Sequence, residues 1–259
     1  MAKADAIGGR DEQQDRVDIL SGRNGRYLLV LADGLGGHRC GAQAATAVVD
    51  TAHALWPRQD AAREPAADFL RAFCAEAHRR IAALAGDHGE SPHSTCVLLH
   101  LDPSEAHWAH VGDSRLYHFR NGALVERSRD HSVVQLLVDL GRVAEADMAT
   151  HPDQNRLTQS LGGGRAPEPS FGSAAVEPGD AFLLCSDGLW ESVSTDDMAA
   201  AVTGDSLESA VRRLVARAVE RGGPNGDNVS VAVARVARRG RVGIRALRRA
   251  VARRQATRR

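Results

Sequence analysis

Thr95-Cys96-Val97-Leu98-Leu99-His100-Leu101 is an apolar run of strand length, and His107-Trp108-Ala109-His110-Val111 is a second. A third, Leu116-Tyr117-His118-Phe119, follows after four residues, and Asn121-Gly122 separates it from Leu124-Val125. Asn-Gly between two such runs is a strong hairpin signal, because both residues tolerate the positive φ of a tight two-residue turn. Strands that follow one another with no helix between them favour antiparallel sheet with helices grouped outside it. They argue against alternating βαβ units.

Further strand-length runs occupy residues 27–32, 181–185 and 229–236. In the last of these Val229, Val231 and Val233 alternate with smaller or polar neighbours, the period expected of a half-buried strand. Helical periodicity spans residues 42–55, 67–84, 132–140 and 207–220. In the second, Phe69, Leu70, Phe73, Ala77, Ile81 and Leu84 recur at three- and four-residue steps and give one apolar face. Residues 141–169 are polar and irregular, the signature of a functional flap.

At 259 residues and 27.6 kDa the chain is expected to form one large domain. Its 43% hydrophobic and 25% charged residues exclude intrinsic disorder as the main state. No run approaches the roughly 18–20 apolar residues of a membrane span, and the N-terminal residues lack an apolar signal core. A cytoplasmic protein is expected.

Net charge is zero, yet residues 238–259 hold ten arginines and no acid, which leaves 23 basic against 33 acidic residues before them. The expected organisation is a domain over 1–237 with an Arg-rich basic tail over 238–259. A solvated tail, a helix folded back on the acidic body, and contact with nucleic acid or an anionic surface all stay open for it. Cys40, Cys74, Cys96 and Cys185 show neither Cys-x-x-Cys pairing nor zinc spacing, so they read as packing residues.

The chemistry lies where apolar runs end. Leu28-Leu29-Val30-Leu31-Ala32 leads into Asp33-Gly34, Phe182-Leu183-Leu184-Cys185 leads into Ser186-Asp187-Gly188, and Val111 into Gly112-Asp113. Gly226-Asp227-Asn228 precedes the run from Val229. A single Asp-Gly marks a turn. Four strand-edge aspartates in one domain are harder to explain so, because converging carboxylates repel and lose hydration. A hard divalent cation removes that penalty, and Mg²⁺ or Mn²⁺ prefers oxygen ligands. Two such ions about 3.5–4 Å apart polarise a phosphoryl oxygen and acidify water. Arg10, on one segment with Asp15, offers a guanidinium fork suited to a phosphate dianion.

With these residues in hand, the chain resembles the metal-dependent protein phosphatases of the 2C type, the PPM family. The likeness runs in order through Gly9-Arg10-Asp11-Glu12-Gln13-Gln14-Asp15-Arg16, Asp33-Gly34-Leu35-Gly36-Gly37-His38 and Gly112-Asp113-Ser114-Arg115. It continues through Asp130-His131-Ser132, Leu157-Thr158-Gln159-Ser160-Leu161-Gly162, Ser186-Asp187-Gly188-Leu189-Trp190 and Gly226-Asp227-Asn228-Val229-Ser230.

The resemblance implies an α+β fold, a four-layer α/β/β/α sandwich of two antiparallel sheets flanked by helices. It implies hydrolysis of phosphoserine and phosphothreonine on proteins by direct attack of water activated at a dinuclear metal centre. The cofactors would be two Mg²⁺ or Mn²⁺ ions, with a third, weaker one. Asp33 would bridge the two ions and Gly34 would offer its carbonyl. Asp187 and Asp227 would complete the first site and Asp113 the third. Arg10 would grip the phosphate, Asp15 would order water near the metals, and Gln14 and Asn228 would support the ligands from behind, Asn228 by orienting Asp227. Residues 141–160 match the mobile flap, and Trp190 is expected to pack beneath the metal loop. The partners implied are phosphorylated proteins made by a bacterial Ser/Thr kinase.

Two departures stand out: Gln14 replaces the family's glutamate, and Leu35 replaces the histidine of eukaryotic members, with His38 three residues on. Only these two favour the alternative of a non-catalytic regulator that keeps the fold and binds phosphoproteins.

Overall fold

In a computed structural model of the chain the hairpin residues Asn121 and Gly122 both take positive φ, 53° and 88°. The structure describes residues 1–35, 38–62, 64–85, 91–204 and 206–237. The expected tail, 238–259, lies outside the described residues, as does the side chain of His38.

The chain opens with β1 (Ala2–Ala6), β2 (Asp15–Ser21) and β3 (Tyr27–Leu35), followed by α1 (His38–Ala62) and α2 (Ala66–Ala82). Five strands come next: β4 (His93–Ser94), β5 (Cys96–Leu101), β6 (Glu105–Val111), β7 (Arg115–Arg120) and β8 (Ala123–Arg127). Then come α3 (Val133–Asp139), β9 (Leu161–Gly162), β10 (Ser170–Ala175) and β11 (Asp180–Cys185). The last elements are α4 (Asp187–Trp190), α5 (Thr195–Thr203), α6 (Leu207–Gly222) and β12 (Val229–Arg235). One sheet has the order β1-β12-β11-β7-β8; the other runs β10-β6-β5-β3-β4-β9, with β2 also paired to β3. Every pairing is antiparallel.

Three apolar layers hold four layers of structure together. Leu28, Val30 and Leu98 on the outer face of the larger sheet meet Val48, Trp56, Phe73 and Ile81 of α1 and α2. Leu29, Leu31, Leu99 and Trp108 on its inner face meet Leu116, Phe182, Leu184 and Ala232 of the other sheet. Leu183, Val231 and Val233 then point outward to Met198, Val211 and Leu214 of α5 and α6. This is the expected α/β/β/α sandwich.

The valine alternation in β12 proves to have another meaning than half-burial. Val231, Ala232, Val233 and Ala234 are all fully buried. The valines fill the helix side while Ala232 and Ala234 lie between the sheets. Small residues there leave room for Trp108 and Phe182, whose rings lie 6.4 Å apart. No helix among the described residues is long and apolar enough to cross a membrane.

Ala232 therefore has no space to grow. Ala232→Leu should lower the unfolding free energy by about 1–3 kcal/mol in urea titrations. Ala123→Leu, at an exposed position, should stay within about 0.5 kcal/mol.

Candidate active site

Antiparallel pairing delivers the strand-edge aspartates to one end of the sandwich. β3 ends in Asp33 and Gly34, β2 begins at Asp15, Asp113 follows β6, Asp187 follows β11, and Asp227 precedes β12. They meet at a cleft of about 430 Å³ lined by Arg10, Asp33, Gly34, Asp113, Asp187 and Asp227. Gln14, Leu35 and Asn228 share its wall, as do Asn155 and Leu157 from the irregular segment read as the flap.

Asp15 lies beneath this floor, 3% exposed and directly opposite Asp33 in the β2–β3 register. Its Oδ2 accepts the Ser186 hydroxyl at 2.7 Å, while Oδ1 is buried with no partner. Burial pushes the Asp15 carboxyl up to about 7 despite that hydrogen bond, and the charge of Asp227 adds to the rise. Burial, then the charge of Asp130, does the same to Asp113, again to about 7. Asp33 and Asp187 are held well above the usual carboxylate range, by burial first and then by the charges of Asp187 and Asp113 respectively. The site is a concentration of negative charge that the protein alone does not neutralise.

Glu191 belongs to the same cluster and went unnoticed in the sequence. It sits one helical turn after Asp187, its N–H donating to the Asp187 carbonyl at 2.9 Å. Burial and then the charge of Asp227 push it to about 7. Its i, i+4 spacing from Asp187 was the available signal.

Arg10 is the one cation on the lining of this cleft among the described residues. Its Nη2 donates to Asp227 Oδ2 at 2.6 Å, and its side chain is 54% exposed at the mouth. The Asn228 side chain fixes the segment that carries it. Oδ1 accepts the Gln14 N–H at 2.7 Å, and Nδ2 donates to the carbonyls of Ile7 and Glu12 at 2.8 and 3.0 Å. The contact of Asn228 with Asp227 is made by its main-chain N–H, at 2.7 Å. Its amide holds the arginine-bearing strand end in place, a different task from orienting Asp227.

Gly34 must be glycine, because a Cβ there would lie 1.9 Å from the carbonyl oxygen of Gly41 in α1. Gly112 has φ +101°, and its N–H donates to His131 Nδ1 at 3.2 Å. That bond and the His131–Ser170 contact at 2.9 Å leave His131 a hydrogen-bonded loop residue. Trp190 lies under the Asp113 loop, its Nε1 donating to the Asp113 carbonyl at 3.0 Å. The guanidinium of Arg115 stacks 3.5 Å above the indole and forks onto Asp130 at 2.8 and 2.6 Å.

No three His, Cys, Asp or Glu side chains among the described residues stand close enough together to hold an ion by themselves. An orphaned buried Asp15 oxygen, an all-oxygen donor set and carboxyls driven toward protonation fit Mg²⁺ or Mn²⁺, and among the described residues the lining offers no sulfur or imidazole for a softer metal.

Two face-packed antiparallel sheets with an arginine and clustered carboxylates at their shared end define a metal-dependent phosphohydrolase. Residues 6–226 match the family described as protein phosphatase 2C, and the chain belongs to that family. A putative protein phosphatase 2C-type from Streptococcus pyogenes is 32% identical over 234 residues, which is 89% of this chain and 94% of that one. The solved S. agalactiae serine/threonine phosphatase superposes with a TM-score of 0.80 at 32% identity, covering 91% of this chain and 98% of its own. The catalytic domain of the serine/threonine protein phosphatase PstP, solved with two manganese ions, gives 0.73 at 30% identity, covering 91% and 97%. The non-catalytic alternative draws no support from these relatives.

The raised Asp113 carboxyl fixes the sign of a pH effect in chelator. Folding raises its affinity for a proton, so ionising it costs stability as pH climbs from about 4 toward 7. Asp113→Asn carries no such loss. Its Tm in chelator should pull ahead of the wild type's by about 4 °C or more between about pH 5 and about pH 8, measured by calorimetry.

Proposed function

We propose that this chain removes phosphate from phosphoserine and phosphothreonine in proteins, with water as the direct nucleophile. The carrying observation is Arg10 at the mouth of a cleft floored by Asp33, Asp113, Asp187 and Asp227. Among the described residues that line this cleft there is no Cys, His, Ser or Thr nucleophile, and the aspartates are assigned to the cations rather than to attack on phosphorus.

Asp33, the Gly34 carbonyl, Asp187 and Asp227 are the residues that would hold two divalent cations, with Asp113 holding a third. Bound there, Mg²⁺ or Mn²⁺ supplies what the side chains lack, drawing charge from the phosphoryl oxygens and making water nucleophilic at neutral pH. Arg10 exchanges Asp227 for the incoming phosphate and fixes its oxygens with a two-pronged guanidinium fork. Asp15, anchored by Ser186 beneath the floor, sets the field under Asp33 and so helps order water near the metals. Asn228, joined by Gln14 through its main-chain N–H, keeps Arg10 at working distance.

The substrates are phosphoproteins made by a Ser/Thr kinase in the cytoplasm. Residues 1–237 form the catalytic domain, and 238–259 are a basic appendage outside the chemistry.

Asp33→Asn should lower kcat on p-nitrophenyl phosphate by about a thousandfold or more at saturating Mn²⁺. Activity near wild type would remove Asp33 from its role. Arg10→Ala should raise KM about 10- to 100-fold, the worth of a charged hydrogen bond, with metal affinity in calorimetric titration little changed. Unchanged KM with collapsed metal binding would place the phosphate grip elsewhere.

A further inference from the structure

The outer edge of the smaller sheet carries a pattern that catalysis does not use. β1 pairs with β12 on one side and, among the described residues, has no strand on the other. α6 lies over it, and a shallow groove between the two is lined by Ala4, Ala6, Val215, Ala216 and Val219, with Arg212 and Glu220 also in its wall. Met1 and Ile7, just beyond the two ends of β1, leave 42% and 43% of their surface exposed. Exposed large apolar residues flanking an open strand edge mark an interaction surface.

From its centre outward, β1 is its own antiparallel complement. A two-fold axis normal to the sheet at Ala4 sets Met1 against Ile7 of a second copy, Ala2 against Ala6, and Lys3 against Asp5. The same operation about Ala216 sets Arg212 of α6 against Glu220 of the second copy. Both centres line one groove, which places the self-complementary strand and the self-complementary helix beside each other. Apolar then meets apolar, Arg212, which pairs with Glu208 of its own helix at 2.6 Å, has Glu220 of the second copy set opposite it as a further acid, and alanines occupy the two crossing points. Lys3, whose Nζ reaches Asp18 at 2.6 Å and the Val17 carbonyl at 3.0 Å, lies along β2. It therefore does not obstruct the main-chain edge.

We propose that β1 and α6 form a two-fold interface between two copies of this chain, joining the two five-stranded sheets into one continuous sheet. The symmetry is isologous: each copy offers the same patch and accepts it from the other. Other proteins that use an open edge need only one matching strand. Here strand and helix are each self-complementary and line the same groove, which favours a second copy over an unrelated occupant.

The test is the mass of the full 259-residue chain by sedimentation velocity across about 1–100 µM. A species near twice the 27.6 kDa monomer should form as concentration rises. Arg212→Glu opposes acid to acid and should raise the dimer Kd at least about tenfold. Arg212→Glu with Glu220→Arg restores opposite charges and should bring Kd back to near wild type. All three proteins should melt alike and hydrolyse p-nitrophenyl phosphate alike, since neither residue lies at the cleft. A monomer at every concentration, or a dimer whose Kd ignores Arg212→Glu or is not recovered by the double change, overturns the interface and leaves the phosphatase assignment untouched.

Discussion

Like-charge crowding at one end of two sheets is the constraint around which this protein is built. Asp15 faces Asp33 across a strand pair, an arrangement that isolated hairpins avoid. It persists because the surroundings leave neither residue room to turn away. Ser186 holds Asp15. The Asp33 N–H donates to Thr95 Oγ1 at 2.9 Å, and its carbonyl accepts from Thr95 N–H at 2.8 Å and from Ser94 Oγ at 3.0 Å. These bonds fix the main chain and leave Asp33 on the cleft wall above the buried Asp15. The strain is electrostatic, stored in a site whose purpose is to attract positive charge.

Packing supplies the rigidity that such a site needs. Between the sheets, Trp108 of the larger sheet packs over Phe182 of the smaller one, and the neighbouring Ala232 and Ala234 leave room for both rings. The two helical layers then cover faces rich in valine and leucine. Since Asp33, Asp113, Asp187 and Asp227 sit at or close to strand ends, their positions are set by three layers of apolar contact. The segment holding Asn155 and Leu157 is the exception, having short 3₁₀ and two-residue strand pieces but no long element.

Much of this was legible because the signals were local and strong. Strands with alternating or continuous apolar character and the Asn121-Gly122 turn pointed to the antiparallel sheets, and helices α1, α2, α3 and α6 followed their periodicity. β1, β2 and α5 were not foreseen. Ala-Lys-Ala-Asp-Ala has alternation but no β-branched or aromatic residue, and its strand state depends on β12, more than 200 residues away. Thr195–Thr203 is too short for periodicity to speak, and Ser194 capping the Asp197 N–H is its clearest mark. At the site the aspartates were readable from their Gly neighbours. The wiring of Asn228 into the N-terminal segment was not, since it joins residues brought together only by the finished fold.

The pairing of the first strand with the last has a consequence during synthesis. Asp5 lies opposite Ser230, so the smaller sheet cannot be completed until nearly all described residues have left the ribosome. At roughly 5–20 residues per second that delay is on the order of tens of seconds. During its second half a nascent chain already displays Asp33 and Asp113 but lacks Asp227, the partner of Arg10. The cleft is assembled in one late event, and no shorter translation product can carry a working fraction of it.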